Sequence, residues 1–187
     1  SVSLGSMVFI KKLTASSSAT LSFVDGSSSV VLDNTYKEYL FTFKDIHPAT
    51  NAQKFTFQGN AAGGSGYNET ITSTFFRAYH EEGGGAEALS YDTGGDQAQG
   101  TSFQQISDSV GSDNDQSCSG FLHLFNPSST TFVKHFIART NTSQSSDYSI
   151  DVFSAGYFNT TSAIDEIQFK MASGNIDAGD ICLYGIL

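Results

Sequence analysis

The sequence predicts an all-β protein built as a two-sheet sandwich, with a jelly roll as the favoured arrangement and a barrel as the second choice. Short segments with apolar residues at every second position recur along the 187 residues, and turn-forming residues separate them. We see no segment of useful length with the 3.6-residue period of an amphipathic helix. The length suits one all-β domain, so we predict a single domain over residues 1–187.

The first half of the chain contains short segments rich in aromatic and β-branched residues. The strands predicted there are Met7–Leu13, Ala19–Val24, Ser29–Leu32, Glu38–Phe43, Lys54–Gln58 and Ile71–Tyr79. Asp25-Gly26 and the glycine cluster at residues 63–66 supply turns between them. The apolar run at residues 7–10 is too short for a signal peptide or a bilayer span, so we predict no membrane span.

The second half contains a further series of predicted strands. They are Phe121–Phe125, Thr131–Arg139, Ser149–Phe153, Ile164–Met171 and Ile181–Leu187. In the fourth of these, Ile167, Phe169 and Met171 fall on one face of the strand. The apolar end of the chain therefore predicts a paired and buried strand, in a sheet or in a subunit contact.

The segment from Glu81 to Gln116 differs from the rest. It is rich in Gly, Ser, Asp and Gln, and we predict a long excursion that leaves the sandwich. Its apolar anchors are Leu89, Tyr91, Phe103 and Ile106. Two interpretations stay open: the segment contacts a variable partner, or neighbouring subunits order it.

Composition favours a protein that is surrounded by partners. Charged residues make up only 15% of the chain, whereas about 25% is usual, so the surface consists largely of uncharged polar groups that are easily desolvated. The net charge of −10 would repel a phosphate backbone, so we expect no nucleic-acid partner. The two cysteines, Cys118 and Cys182, are interpreted as free thiols, although a disulfide stays open.

The sequence offers few candidates for a metal site. In the acidic turn, Asp108, Asp113, Asn114 and Asp115 supply oxygens of the type that calcium prefers, but the spacing does not match an EF-hand loop. A solvated turn is the favoured interpretation.

His47 precedes Pro48 in a turn-like context, and His80 begins an acidic stretch. His123 and His135 alternate with apolar residues on predicted strands, and lone strand histidines are more often hydrogen-bonded sheet residues than ligands. The two would be neighbours if their segments form a hairpin across residues 126–130.

Catalytic motifs are also missing from the sequence. It contains no Gly-x-Ser-x-Gly elbow, no His-Glu-x-x-His helix and no phosphate-binding glycine loop that opens a helix. We therefore predict no enzyme activity, no catalytic residues, no metal and no cofactor. Two carboxylates distant in sequence can still meet in a fold, so a hydrolase of envelope sugars stays open as a third hypothesis.

Tyrosines near strand ends are candidates for stacking on a glycan, and they are Tyr67, Tyr79, Tyr91, Tyr148 and Tyr157. A core role is the simpler interpretation, because a Phe-rich chain without Trp fills its sandwich with aromatic residues. The sequons at Asn68, Asn141 and Asn159 imply glycosylation only in a secreted chain.

Four stretches of the sequence carry a resemblance. They are "MVFIKKLTASSSATLSFVDG", "FQGNAAGGSGYNETITSTFFRAYHEEG", "LFNPSSTTFVKHFIA" and "TTSAIDEIQFKMASGNIDAGDICLYGI". Together they resemble a family of small structural proteins of marine tailed bacteriophages, especially phages of cyanobacteria. The resemblance spans nearly the whole chain and implies a virion component, with no catalytic residue to carry over.

The expected function is therefore a non-enzymatic virion structural protein on the particle surface. Capsid decoration and a tail or fibre knob both fit, and resemblance to such proteins favours a trimer in contact with capsid or tail proteins. The alternative is a lectin-like module for host attachment, with stacking at Tyr79, Tyr91 or Tyr157.

Overall fold

The structure is a computed structural model that describes residues 6–187; residues 1–5 of the predicted domain lie outside the described residues. Two antiparallel sheets pack face to face around a shared apolar core. The predicted all-β, two-sheet sandwich is therefore confirmed.

The described residues form twelve strands. In chain order these are β1 (Met7–Thr14), β2 (Leu21–Val24), β3 (Glu38–Pro48), β4 (Phe55–Ala61), β5 (Ile71–Glu81), β6 (Glu87–Tyr91), β7 (Gln104–Gln105), β8 (Cys118–Phe125), β9 (Lys134–Gln144), β10 (Tyr148–Phe158), β11 (Ile164–Met171) and β12 (Ile176–Ile186). The large sheet has eight strands in the order β1-β12-β3-β8-β9-β10-β5-β6, and the small sheet has four in the order β2-β11-β4-β7. No helix among the described residues has the length and apolar character needed to cross a bilayer.

Phenylalanine rings fill the space between the sheets. Phe169 on β11 lies with its ring centroid 5.3 Å from those of Phe41 and Phe43 and 5.7 Å from that of Phe55. All these rings are buried, and most meet edge to face, which is a favourable geometry for aromatic pairs. The period-two pattern of the strands therefore produces the core that the sequence predicted.

The last strand is paired on both sides. β12 lies between β1 and β3, and the side chains of Ile181 and Leu183 are fully buried in the core. The prediction of a paired strand with Ile181 and Leu183 in the core is confirmed, and the alternating Cys182 and Tyr184 lie on the opposite face. The end itself is not buried, because β12 ends at Ile186 and Leu187 is 65% exposed. Within residues 6–187 both cysteines are free, and burial raises the pKa of the Cys118 thiol to about 12.

One predicted strand is wrong. Residues 29–32 form a turn and an extended connection, because Ser28 and Ser29 adopt φ values of 51° and 69°, in the left-handed region that strands avoid. The backbone N–H of Leu32 donates to the carboxylate of Asp25, which holds the loop against the sandwich. Leu32 is nevertheless buried. Its apolar side chain therefore fills the core from a loop, and its apolar character did not indicate a strand.

The segment from Glu81 to Gln116 also differs from its prediction. It contains β6 at the edge of the large sheet and β7 at the edge of the small sheet, so it does not leave the sandwich. Gln104 and Ile106 are fully buried, and the Gln104 side chain bonds to Ser73 of β5 and Ser154 of β10. The polar composition of this segment was misleading, because buried amides there take part in a hydrogen-bond network.

Candidate functional site on the outer face of the large sheet

The outer face of the large sheet carries a row of side chains that lie directly opposite one another on five adjacent strands. The row consists of Phe121 (β8), Arg139 (β9), Phe153 (β10), Phe76 (β5) and Tyr91 (β6). We call these five residues the aromatic row. Directly opposite residues on neighbouring strands are close enough for their side chains to contact, so the row forms a continuous surface.

The centre of the aromatic row is tightly ordered. The rings of Phe76 and Phe153 stack with centroids 4.8 Å apart and an angle of 5° between their planes. The guanidinium carbon of Arg139 lies 4.7 Å from the centroid of Phe153 on the other side. Arg139 also donates from Nη2 to Oδ2 of Asp151 at 2.6 Å, and this bond raises the pKa of Arg139. The guanidinium is therefore held by a carboxylate and a ring.

A shallow apolar groove runs beside the row. It has a volume of about 380 Å³, and its walls include Phe76, Phe121, Ile137 and Phe153. The small side chain of Ala155 also lines it, on β10 opposite Ile137. Fractional exposures of 39% for Phe76, 37% for Phe121 and 51% for Ile137 show that these apolar side chains contact solvent.

Such a face is unusual on a solvent-exposed antiparallel sheet. The common arrangement places apolar residues towards the core and polar residues towards water. Here the strands carry apolar residues at odd and even positions, so apolar side chains lie on both faces of the sheet. On β8, Leu122 and Leu124 enter the core while Phe121 lies on the outer face. Contiguous exposed apolar patches mark sites of interaction with proteins, membranes or ligands.

The five candidate tyrosines do not form one site. Tyr79 and Tyr148 meet with ring centroids 5.7 Å apart on the inner face of the large sheet, at the end next to Arg77. Tyr91 belongs to the aromatic row, whereas Tyr157 contacts the ring of His135. Tyr67 donates to Glu166, and burial, with this hydrogen bond, raises the pKa of Tyr67.

The acidic turn is divided by the fold. The side chain of Asp108 is buried and pairs with Arg77, which also lies 3.6 Å from the carboxylate of Asp92. Asp113, Asn114 and Asp115 remain in an exposed loop, so the four predicted oxygen donors are not brought together. Among the described residues no group of three or more His, Cys, Asp or Glu side chains has the arrangement of a metal site.

The histidines occupy separate places in the fold. Nδ1 of His47 donates to the carbonyl of Gln116 at 2.6 Å, and Nδ1 of His80 donates to the carbonyl of Glu81 at 2.8 Å. β8 and β9 form the predicted hairpin, but His123 lies opposite Ile137, and His135 packs against Tyr157. The two strand histidines, His123 and His135, therefore contact aromatic rings, whereas the histidine hydrogen bonds to backbone carbonyls are made by His47 and His80.

Sequence reasoning missed the aromatic row, because it assigned the phenylalanines to the core. A signal was nevertheless present. The strings "TFFRAY" in β5, "GFLHLF" in β8 and "DVFSAGYF" in β10 place large apolar residues at odd and even positions alike. Apolar residues at both parities are typical of a strand covered on both faces.

No family model, no curated protein and no solved structure matches this chain. Function is therefore inferred from the residues of the outer face and from the resemblance described above.

Proposed function

We propose that this protein is a non-enzymatic structural component of a virion, exposed on the particle and assembled through the outer face of its large sheet. The aromatic row is the observation that carries the proposal. It supplies rigid, flat rings and one ordered guanidinium, and aromatic and Arg side chains dominate the energy of protein interfaces. The resemblance to phage structural proteins supports the virion location.

We further propose that a second copy of this chain covers the row. Two chains of net charge −10 repel each other, so a contact between copies has to form where the local charge is low. In the row, the charge of Arg139 is balanced by Asp151, and its other members are uncharged. This surface is therefore well suited to contact its own copy, and resemblance to fibre and decoration proteins favours three-fold symmetry.

Sedimentation velocity of the wild type and of Phe153→Ser tests the assembly. Phe153 is chosen because it contacts both Arg139 and Phe76. We expect an oligomeric wild type and more than about tenfold weaker association in the variant, which is the usual cost of losing a central aromatic residue of an interface.

Phe132→Ser is the matched control. Phe132 is 68% exposed in the loop between β8 and β9, outside the row, and we expect its variant to associate as the wild type does. Ile137→Ser, in the groove wall, provides a second test should Phe153→Ser fold poorly. A monomeric wild type, or row variants that all assemble normally, would refute the self-contact.

The virion location needs a separate experiment. A cryo-electron reconstruction of the intact particle, with this chain traced into its density, is expected to show the sandwich on the capsid shell or on the tail. Density on the shell supports decoration and density on a fibre supports a host-contact role. Failure to find the chain in purified particles by mass spectrometry would contradict the proposal.

A further inference from the structure

Within residues 6–187 the large sheet has two edges at which no further strand is paired, β1 on one side and β6 on the other. With eight residues in β1 and five in β6, both strands are long enough to pair with another strand. The four most exposed large apolar side chains in the described strands lie on these two edges, and they are Met7, Phe9, Leu89 and Tyr91. An exposed edge that carries apolar side chains is a template for pairing with another chain.

The backbone of β6 directs hydrogen-bonding groups towards its free edge. The N–H of Glu81 donates to the carbonyl of Ala86, and the N–H of Asp92 donates to the carbonyl of Phe75. Opposite residues that exchange hydrogen bonds alternate with opposite residues that do not, so the even-numbered residues of β6 bond to β5. The backbone groups of the odd-numbered residues therefore point away from the sheet. These residues are Glu87, Leu89 and Tyr91.

The same alternation identifies the free backbone groups of β1. At one end the N–H of Ala15 donates to the carbonyl of Gly179, and at the other end the N–H of Leu187 donates to the carbonyl of Ser6. A bulge shifts the register by one residue in the middle of β1. Two residues before the bulge and two after it therefore direct their backbone groups away from β12. They are Met7, Phe9, Lys12 and Thr14.

The two edges carry opposite charges. At the β1 edge, the ammonium groups of Lys12 and Lys44 share the single carboxylate of Asp180, so this group keeps a positive charge. On β6, Glu87 is exposed and has no ion-pair partner within residues 6–187. Two acidic chains repel each other less where they present opposite local charges. Charge therefore favours contact between unlike edges over contact between like edges.

The strand directions also allow unlike edges to pair. All neighbouring strands of the large sheet are antiparallel and the sheet has eight strands, so β1 and β6 run in opposite directions. Two copies placed side by side in the same orientation therefore bring β6 of one copy against β1 of the next as an antiparallel pair. Repetition of such a head-to-tail contact gives a closed ring or an open chain of copies.

We infer that copies of this chain associate head to tail, with β6 of one copy paired to β1 of the next in one continuous sheet. One register brings the free backbone groups of both edges opposite each other, and its three pairs are Tyr91 with Met7, Leu89 with Phe9 and Glu87 with Lys12. The bulge in β1 supplies the extra residue between the second pair and the third. All six side chains lie on the outer face, so the contact covers four exposed apolar side chains and gives Glu87 a lysine partner.

This contact goes beyond the self-contact through the aromatic row and does not depend on it. The row uses the face of the large sheet, whereas strand pairing uses its edges. Tyr91 is common to both surfaces, so its substitution would not separate the two contacts.

Disulfide cross-linking of the full chain tests the register. The single variants Phe9→Cys and Leu89→Cys are prepared in a Cys182→Ser background, mixed and mildly oxidised, and the remaining Cys118 is buried. In a hydrogen-bonded antiparallel pair the opposite Cα atoms lie about 5.5 Å apart, a distance that a disulfide spans. We expect the mixture to give a covalent dimer with one chain of each kind, whereas either variant alone gives none.

A mixture of Phe9→Cys and Phe132→Cys is the matched control. Phe132 is as exposed as Leu89 but lies in the loop between β8 and β9, away from both edges, so we expect no cross-link. Absence of a dimer in the mixture of Phe9→Cys and Leu89→Cys would overturn the inference. A dimer formed by either variant alone would also overturn it, because such a dimer shows pairing of like edges.

Glu87→Lys tests the ion pair. In the Leu89→Cys chain the new lysine would lie opposite Lys12 of the next copy, and we expect cross-linking to be about threefold slower, because an attraction is replaced by a repulsion. Asp113→Lys makes the same change in net charge at an exposed site outside the edges and should not slow the reaction. Equal rates for the two lysine variants would contradict the register.

Phe153→Ser separates this inference from the proposed function. When it is added to both cysteine variants, we expect the cross-link between residues 9 and 89 to persist, because the edges do not include the row centre. Assembly that requires Phe153 while residues 9 and 89 never cross-link would retain the row contact and overturn the edge pairing. A cross-link that disappears with Phe153→Ser would overturn the edge pairing as a separate contact.

Discussion

At the scale of single residues, the core depends on one phenylalanine more than on its neighbours. The ring of Phe169 contacts rings from both sheets, including Phe41 and Phe43 of the large sheet and Phe55 and Phe57 of the small one. Its removal would leave a cavity that the surrounding rings cannot close, because they are themselves held by the two sheets.

We therefore predict that Phe169→Ala lowers the free energy of unfolding by about 3 to 5 kcal/mol. Chemical denaturation measured by fluorescence or circular dichroism checks the value. The exposed Phe132→Ala is the control, with an expected change within about 0.5 kcal/mol. Equal effects of the two variants would show that Phe169 is not a central core residue.

A second residue affects stability through its charge. Burial, followed by repulsion from Glu166, raises the pKa of Asp165 above its usual value, and Asp25 acts in the same direction. Its Oδ1 has no hydrogen-bond partner among the described residues. The folded state therefore disfavours the ionised form, and stability is lost as the pH rises from the unfolded pKa through the folded one.

Asp165→Asn is thus expected to raise the melting temperature at pH 7 and to have little effect at pH 3, where the wild-type carboxyl is already protonated. Thermal unfolding at both pH values measures this. Asp113→Asn, at an exposed site in the acidic turn, controls for the general change in charge. A gain of the same size at both pH values would contradict this account.

At the scale of secondary-structure elements, β1 is an edge strand secured at one end by a carboxylate on β12. Asp180 accepts a hydrogen bond from Thr14 at 2.6 Å and lies 3.4 Å from the ammonium groups of Lys12 and Lys44. The hydrogen bond from Thr14, together with the two lysines, lowers the pKa of Asp180. The carboxylate therefore links β1, β12 and β3.

We predict that Asp180→Ala speeds amide hydrogen exchange in β1 without a large change in global melting temperature, because exposed ion pairs contribute little to overall stability. Hydrogen-exchange mass spectrometry resolves the strand. The variant Asp177→Ala, at an exposed position of the same strand, should leave β1 unchanged. Unaltered exchange in β1 of Asp180→Ala would show that pairing with β12 alone secures the edge.

The stabilising effect of Asp180 should also disappear as the pH falls through its lowered pKa, since only the ionised carboxylate forms the ion pairs with the two lysines.

At the scale of the whole molecule, net charge and the aromatic row have opposite effects on the association of two copies of the chain. Each copy carries −10, so long-range repulsion opposes the contact that the row favours. Salt weakens this repulsion, because the Debye length falls from about 30 Å at about 0.01 M salt to about 8 Å at about 0.15 M.

Self-association is therefore expected to strengthen as salt increases over that range, as measured by the oligomer fraction in sedimentation velocity. A partner with a complementary basic patch would give the opposite trend, since salt weakens an attraction between unlike charges. Association of copies that weakens with salt would thus exclude the proposed charge-neutral contact.

The sequence by itself determined the all-β class and most of the strands, because the alternation of apolar residues reports directly which side chains enter the core. β11, predicted and observed as Ile164–Met171, is the clearest case. Local pattern was not sufficient at residues 29–32, where the left-handed backbone of Ser28 and Ser29 prevents the predicted strand. It was also not sufficient at the short strand β7, where burial of Gln104 depends on partners more than 30 residues away in either direction.

Only the tertiary structure decided which aromatic residues face outwards together and which polar groups share a cavity. Phe121, Phe153 and Phe76 form one row because three strand pairings set their register. Two of these join consecutive strands (β8–β9 and β9–β10), and the third joins β10 to the distant β5. Gln105 and Asp96 lie in one cavity because the connection between β6 and β7 crosses from one sheet to the other. The physical reason is that a sequence pattern specifies the face of each strand, whereas register and sheet order specify the neighbours of that face.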